Sequence, residues 1–468
     1  MSLTSSSAAD LLGSLHSGSL SAVELMRATL ARIDAVNPAT NAIVGLRDRD
    51  ALLAEASEAD TVSVEDRGPL HGLPIAVKDL VQVAGILSTN GSPIFANHVP
   101  AKDDILAARL RAAGAILIGK TNVPEFGLGS HTFNPVYGAT RNPYDLSRTC
   151  GGSSGGAAVA LATGMLALAD GSDMMGSLRN PAAWNNVYGF RPSFGKVPSE
   201  PLGDTFLKMM STLGPMGRSP ADIGLLLDVI SGPDPRQPHG MPFEPAHPVK
   251  AAALDGLRVG WLGDWGGAFP CEPGILELCQ NALGVLAENG ATVEPVAPPF
   301  SADAMWDSWI TLRSFLTGGG LAPLLERGIE MKDSAMWEIG RYQSMTAEQV
   351  YAASVTRSAW FECAARLFDT YDVLVLPTAQ AWPFDIDLPW PTEIAGRKMD
   401  TYHRWMQVTI PASLIGLPAL SVPAGFGPEG LPMGMQLIGR HGNDGRILSV
   451  GQAYHEATEW PQMRPPAI

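Results

Sequence analysis

RTCGGSSGGAAVALATG (residues 148–164), followed closely by GSDMMGSLRNPA (171–182), places two glycine-serine patches on either side of the most apolar run in the chain. That run, 155–169, is 15 residues long and includes Thr163 and Gly164. A bilayer-spanning helix needs roughly 20 apolar residues, so the run reads as a helix buried inside a globular fold. A single Gly/Ser patch is ordinarily a turn. Two patches bracketing one buried element bring small, hydroxyl-bearing loops to both of its ends.

Around this centre the pattern alternates. Residues 73–77 (LPIAV) form a short apolar strand, 103–113 a helix, 115–118 (AILI) a strand, and 373–376 (VLVL) and 419–422 (ALSV) further buried strands. Ser21 and Glu24 form a capping box, and Val23, Met26, Leu30 and Ile33 recur at helical spacing, which predicts an amphipathic helix ending before Pro38. With 50 Gly and 38 Pro spread without a period, the chain has many short loops and is not a solenoid. The expectation is an α/β fold, a single domain over 1–468. Seven tryptophans (Trp306, Trp309, Trp337, Trp360, Trp382, Trp390, Trp405) crowd 302–405, which reads as a mainly helical peripheral portion forming part of a pocket.

Composition excludes several classes. Hydrophobic residues are 46% and charged residues 17% of 468, the wrong balance for disorder. A net charge of −15 with no basic stripe argues against a nucleic-acid partner. Cys150, Cys271, Cys279 and Cys363 lack CxxC spacing and are expected as free thiols. With no signal-like or transit-like start and no membrane segment, the expected location is the cytoplasm.

Four motifs mislead. GAILIGKT (114–121) spells a P-loop, but its middle is strand-like and a helix precedes it. GGSSG (151–155) fits a nucleophile elbow, with His403, His441 or His455 as a partner, yet 143–150 reads as a polar loop and not a buried strand. Ser193 and Lys196 match S-x-x-K without its companion motifs, and His455-Glu456 begins a zinc motif whose second His is a Glu. No metal site is expected.

The full set of blocks is GLPIAVKD (72–79), GKTNVPEFG (119–127), the two Gly/Ser patches, TIPASLIGLPALSVPAG (409–425) and GLPMGMQLIG (430–439). In order and spacing it resembles the amidase signature family of serine hydrolases over nearly the whole chain. The resemblance implies an α/β/α domain with a mixed, twisted central sheet covered by helices on both faces. It also implies no metal or organic cofactor, a homodimer, and a Ser–cis-Ser–Lys triad. Carried over by motif, the nucleophile is Ser177, the bridging serine after a cis peptide is Ser153, and the base is Lys78.

The chemistry stands on its own. A serine hydroxyl needs a base within hydrogen-bond reach. A lysine serves only if burial at a strand end, away from carboxylates, keeps it neutral. Asp79 points to the opposite face of an extended strand. The oxyanion donors are expected among the N–H groups of Met174, Met175, Gly176 and Ser177. Met175 stands where the family has Gly, so it should keep negative φ, with Met174, Met175, Trp306 and Trp309 lining a substrate pocket. Arg179 and Asp173 read as a structural ion pair, and Cys150 as a small buried residue.

The function that follows is hydrolysis of the C–N bond of a small carboxamide with an apolar or aryl acyl group, through a seryl acyl-enzyme. Two other readings are the glutamine-hydrolysing subunit of a tRNA-dependent amidotransferase and a non-catalytic ligand-binding relative. The presence of Lys78, Ser153 and Ser177 together speaks against the last.

Overall fold

The computed structural model describes residues 3–325, 328 and 331–468. Three strands form a small sheet: β1 (Ile43–Val44) pairs antiparallel with β3 (Ile116–Thr121), which pairs in parallel with β2 (Pro74–Lys78). The large sheet has eight strands, β4 (Leu168–Asp173), β5 (Tyr188–Arg191), β6 (Thr212–Gly217), β7 (Arg258–Trp261), β8 (Thr292–Pro295), β9 (Val373–Pro377), β10 (Ala419–Phe426) and β11 (Pro432–Ile438). They lie in the order β8-β7-β9-β11-β10-β5-β6-β4. β7 runs parallel to β8 and β9, and every other neighbouring pair is antiparallel, so the sheet is mixed.

β5, β9 and β11 are buried at every position. Successive strand residues face opposite sides, so both faces of the sheet are covered, as an α/β fold requires. One apolar cluster runs from Ala8 to Tyr454. Lys78 is not on the large sheet, as a single central sheet would have it. Its strand β2 is the edge of the small sheet and lies along β4, the edge of the large one, and the Lys78 N–H donates to Asp170 Oδ1 at 3.0 Å across that seam.

Several boundaries differ from the sequence expectation. Helix α1 (Ala22–Thr40) has the capping box but continues through Pro38. Near the helix end a proline removes little, and Asn41 in the left-handed region closes the turn onto Asn37 O. The 103–113 helix is α2 (Ile105–Ala112). The apolar run holds only a short helix, α3 (Gly155–Ala162), before the chain turns at Gly164, φ 71°, and re-enters as β4. Residues 143–150 are not all loop, because Asp145–Thr149 form a strand of an outlying two-stranded ribbon. After α4 (Arg179–Trp184), the helical portion comprises α5 (Ala302–Leu325), α6 (Asp333–Ser344) and α7 (Ala347–Leu367). It ends well short of 405, since β9 returns the chain to the middle of the large sheet.

The start of α3 touches backbone. A Cβ on Gly156 would lie 2.3 Å from Asn122 N and 2.5 Å from Ala42 O. Ala ordinarily favours a helix over Gly by about 1 kcal/mol. Here Gly156→Ala reverses the sign and lowers stability by about 1–3 kcal/mol through overpacking, read as a lower urea midpoint.

Candidate active site

Lys78 ends β2 with no exposed surface. Its Nζ donates to Ser153 Oγ at 2.8 Å, Ser154 Oγ at 2.8 Å and Ser172 Oγ at 3.0 Å. Burial lowers its pKa to about 7, against the opposing pull of Asp170 and Asp173. The site is therefore not free of carboxylates, and desolvation is what wins. Asp170 is itself pushed up by burial, which weakens its hold on a lysine proton. Asp79 does face away, accepting the Thr89 N–H at 2.9 Å with Lys120 Nζ 3.9 Å distant. Lys120, the lysine of the P-loop look-alike, is thus a buried partner of Asp79, and its segment is strand from Ile116 to Thr121.

The Gly152–Ser153 peptide is cis. The loop around it is tied down by Thr132, whose N–H and Oγ1 donate to Gly151 O at 3.1 and 2.8 Å, and by Gly152 N–H to Asn180 Oδ1 at 3.3 Å. Ser154 N–H donates to Ser177 O at 3.2 Å, joining the two patches directly.

Ser177 follows β4 on a turn organised by Asp173. That carboxylate accepts Gly176 N–H at 2.9 Å and Leu178 N–H at 3.2 Å. It also accepts Arg179 Nε and Nη2 at 3.0 Å each, and Arg191 Nη1 at 3.3 Å. Burial alone would raise the Asp173 carboxyl, but the two guanidiniums outweigh it and hold the group well below the usual carboxylate range. The left-handed residue of the turn is Gly176, φ 83°, while Met174 and Met175 keep negative φ. Gly176 N–H is committed to Asp173, so of the four expected oxyanion donors it drops out. Met174, Met175 and Ser177 keep N–H groups without an acceptor among the described residues.

Ser153 and Ser177 border one cavity of about 140 Å³, close to the roughly 150 Å³ that accommodates benzene in an engineered protein core. Its apolar wall is Leu80, Phe126, Leu128, Met174, Met175 and Met406. Trp306 and Trp309 are not part of it. They are 4% and 0% exposed and pack on each other and on His403, because α5 turns its indole face into the core. Arg313 and Thr317, further along the same helix, reach the cavity instead. A larger cavity of about 260 Å³ shares Leu80, Ser172 and Ser211 with the first. Sequence reasoning missed Ser154, Ser172, Arg313 and Thr317. The only signal for the first two was that each Gly/Ser patch carries a second serine.

His403 is enclosed by aromatic rings, His441 lies against Phe194 O and His455 bonds Tyr188, so none serves an elbow at Ser153. Cys150 is fully buried and its thiol is pushed up to about 12 by burial. All four cysteines are free. Among the described residues no group of three or more His, Cys, Asp or Glu could hold a metal, and no helix is long and apolar enough to cross a membrane.

A family model described as Amidase matches residues 24–448. The chain is 34% identical over 466 residues to an acylamidase of Rhodococcus erythropolis, covering 98% of this chain and 97% of that protein. It is 35% identical over 482 residues to a glutamyl-tRNA(Gln) amidotransferase subunit of Chloroflexus aurantiacus, covering 96% of each. Among solved structures, a bacterial aryl acylamidase of the amidase signature family superposes with a TM-score of 0.91 at 30% identity, covering 98% of this chain and 99% of that one.

The Asp173 clamp has a measurable cost of removal. Asp173→Asn keeps the shape but leaves Arg179 and Arg191 buried with no counter-charge, which destabilises the fold by roughly 3–5 kcal/mol. The half-buried pair Asp145–Arg148 is the control, since Asp145→Asn changes stability by less than about 1 kcal/mol in the same denaturation assay.

Proposed function

The chain belongs to the amidase signature family and is an amide-hydrolysing enzyme, and from that premise we propose that Ser177 is its nucleophile, Ser153 the proton relay and Lys78 the base. The observation that carries this reading is the fully buried Lys78 amine, 2.8 Å from the Oγ of Ser153, which borders the same cavity as Ser177. A neutral amine has two N–H bonds and one lone pair. With Ser154 and Ser172 taking the two N–H bonds, the lone pair is left for the Ser153 hydroxyl.

Ser153 then accepts the Ser177 proton as Ser177 Oγ attacks the amide carbonyl. The N–H groups of Met174, Met175 and Ser177 face the oxyanion that forms, each such donor worth about 2.7–4 kcal/mol. Collapse of the tetrahedral species breaks the C–N bond, and the proton returns through Ser153 to the departing nitrogen. Water, activated by the same relay, hydrolyses the acyl-enzyme to carboxylate and ammonia or amine. The methionines and Phe126 favour a small apolar or aryl acyl group. The same reading places the enzyme in the cytoplasm, in keeping with its free thiols, and as a homodimer, which light scattering tests.

The relatives that are amidotransferase subunits support a second reading, glutamine hydrolysis. The cavity weighs against it. Among the described residues its wall carries Arg313 but no Asp or Glu to receive glutamine's α-ammonium.

A fluorophosphonate probe followed by intact-mass spectrometry is expected to give one adduct, on Ser177. Ser177→Ala abolishes labelling, and both Ser177→Ala and Lys78→Ala lower kcat by at least about 10⁴-fold. An adduct that survives Ser177→Ala removes the assignment. Because the base must be deprotonated, kcat/KM rises with pH through about 7, the Lys78 value, and levels off above it. A flat profile across that range, or one that falls, rules out Lys78 as the base.

A further inference from the structure

Arg313 is 5% exposed, and two of its nitrogens are held firmly. Nε donates to Glu338 Oε1 at 2.7 Å and Nη2 to Tyr402 Oη at 2.8 Å, and neither Glu338 nor Tyr402 borders the cavity. Nη1 faces the other way, onto the Met174 sulfur at 3.1 Å, and the Thr317 hydroxyl approaches that sulfur at 3.9 Å. Arg313, Thr317 and Met174 all line the cavity. A thioether is a weak acceptor, whereas a guanidinium carries five N–H donors. At this corner, where Arg313 is buried and Thr317 and Met174 are half-buried, two donors, one of them cationic, therefore meet a single poor acceptor, an imbalance that buried polar groups rarely show.

We propose that the Arg313–Thr317 corner is a substrate subsite for a neutral hydrogen-bond acceptor, a carbonyl oxygen or its equivalent carried on the acyl group, which takes the place of the Met174 sulfur. The proposal rests on the amide-hydrolase reading of the cavity and deepens it. It selects a neutral acceptor because the charge is already balanced. Glu338 is fully buried and receives Arg313, Ser314 and Tyr402 at 2.7 Å each. The next cation, Lys332, donates to Leu128 O at 2.6 Å and is offset by Glu125. A substrate carboxylate would thus enter as a buried anion without a free counter-ion. A carbonyl meets a charged donor at no such cost, and hydrogen bonds to charged donors are the stronger kind.

The test measures Kd by calorimetry on Ser177→Ala protein, which leaves the amides intact. The ligands are benzamide and its para and meta derivatives bearing acetyl, isopropyl or carboxylate groups of nearly equal shape. The better acetyl isomer is expected to bind about tenfold more tightly than its isopropyl counterpart, with the carboxylate weakest. Arg313→Lys keeps the charge opposite Glu338 but loses the fork, and brings the acetyl and isopropyl compounds to within about twofold. Should that variant not fold, Met174→Leu, which removes the competing sulfur, raises the acetyl preference. Equal binding of acetyl and isopropyl, tightest binding of the carboxylate, or an acetyl preference that survives Arg313→Lys or falls in Met174→Leu overturns the subsite. Binding of none of the amides, benzamide included, overturns instead the reading of the cavity on which it rests.

Discussion

An amine with no exposed surface is the constraint around which this molecule is arranged. Taking Lys78 out of water penalises its charged form, and the nearby carboxylates of Asp170 and Asp173 would ordinarily restore that charge. They do not, because each is occupied or altered. Asp173 is saturated by two guanidiniums and two backbone N–H groups, and Asp170, raised by burial, takes the backbone N–H of Lys78. The nearest polar partners of the amine are three neutral hydroxyls. Hydroxyls satisfy the lysine in either protonation state, which is the condition for a group that must gain and lose a proton during turnover.

The seam between the two sheets is where this becomes possible. β2 delivers Lys78 from the small sheet, β4 delivers Ser172 and then the Ser177 turn from the large one, and the α3 N-terminal loop inserts Ser153 and Ser154 between them. No one of these elements holds a complete site. The Asp173 clamp fixes the end of β4, and the bond from Ser154 N–H to Ser177 O fixes the loop to the turn. Precise placement comes from rigid strand ends and backbone bonds, with the titratable side chains left comparatively few.

Much of this was legible in the chain before its fold was known. The strands at Pro74–Lys78, Ile116–Thr121, Val373–Pro377 and Ala419–Phe426 announce themselves as short apolar runs, and the Ser21–Glu24 box marks the start of α1. Lys78, Ser153 and Ser177 stand in motifs. What stayed hidden depends on which way a side chain turns once packed. Trp306 and Trp309 looked like pocket rings because they are large and clustered, but α5 packs among other helices and turns its indoles into that contact. The commitment of Gly176 N–H to Asp173 was equally invisible, since turn hydrogen bonding follows from geometry and not from residue type alone. Ser172 reaches Lys78 across 94 positions and Arg313 reaches Met174 across 139, and no local pattern reports such pairs.

The misjudged tryptophans still bear on the site, one step removed. The Arg313 guanidinium lies 5.2 Å over the Trp309 ring and 5.9 Å from that of Tyr402. A cation stacked on one ring, paired with Glu338 and bonded to Tyr402 Oη has little freedom to swing. Its remaining face is therefore presented to the cavity at a fixed position, and the flexible partner in the contact is the Met174 side chain, which can move aside. The aromatic cluster thus shapes the pocket by immobilising Arg313, the one charged residue on its wall among the described residues, rather than by touching the ligand. In that arrangement two rigid parts meet one small cavity, the Lys78 seam through Ser153 and Ser172 and the stacked Arg313 directly, and its lining joins serine hydroxyls to methionine and leucine side chains.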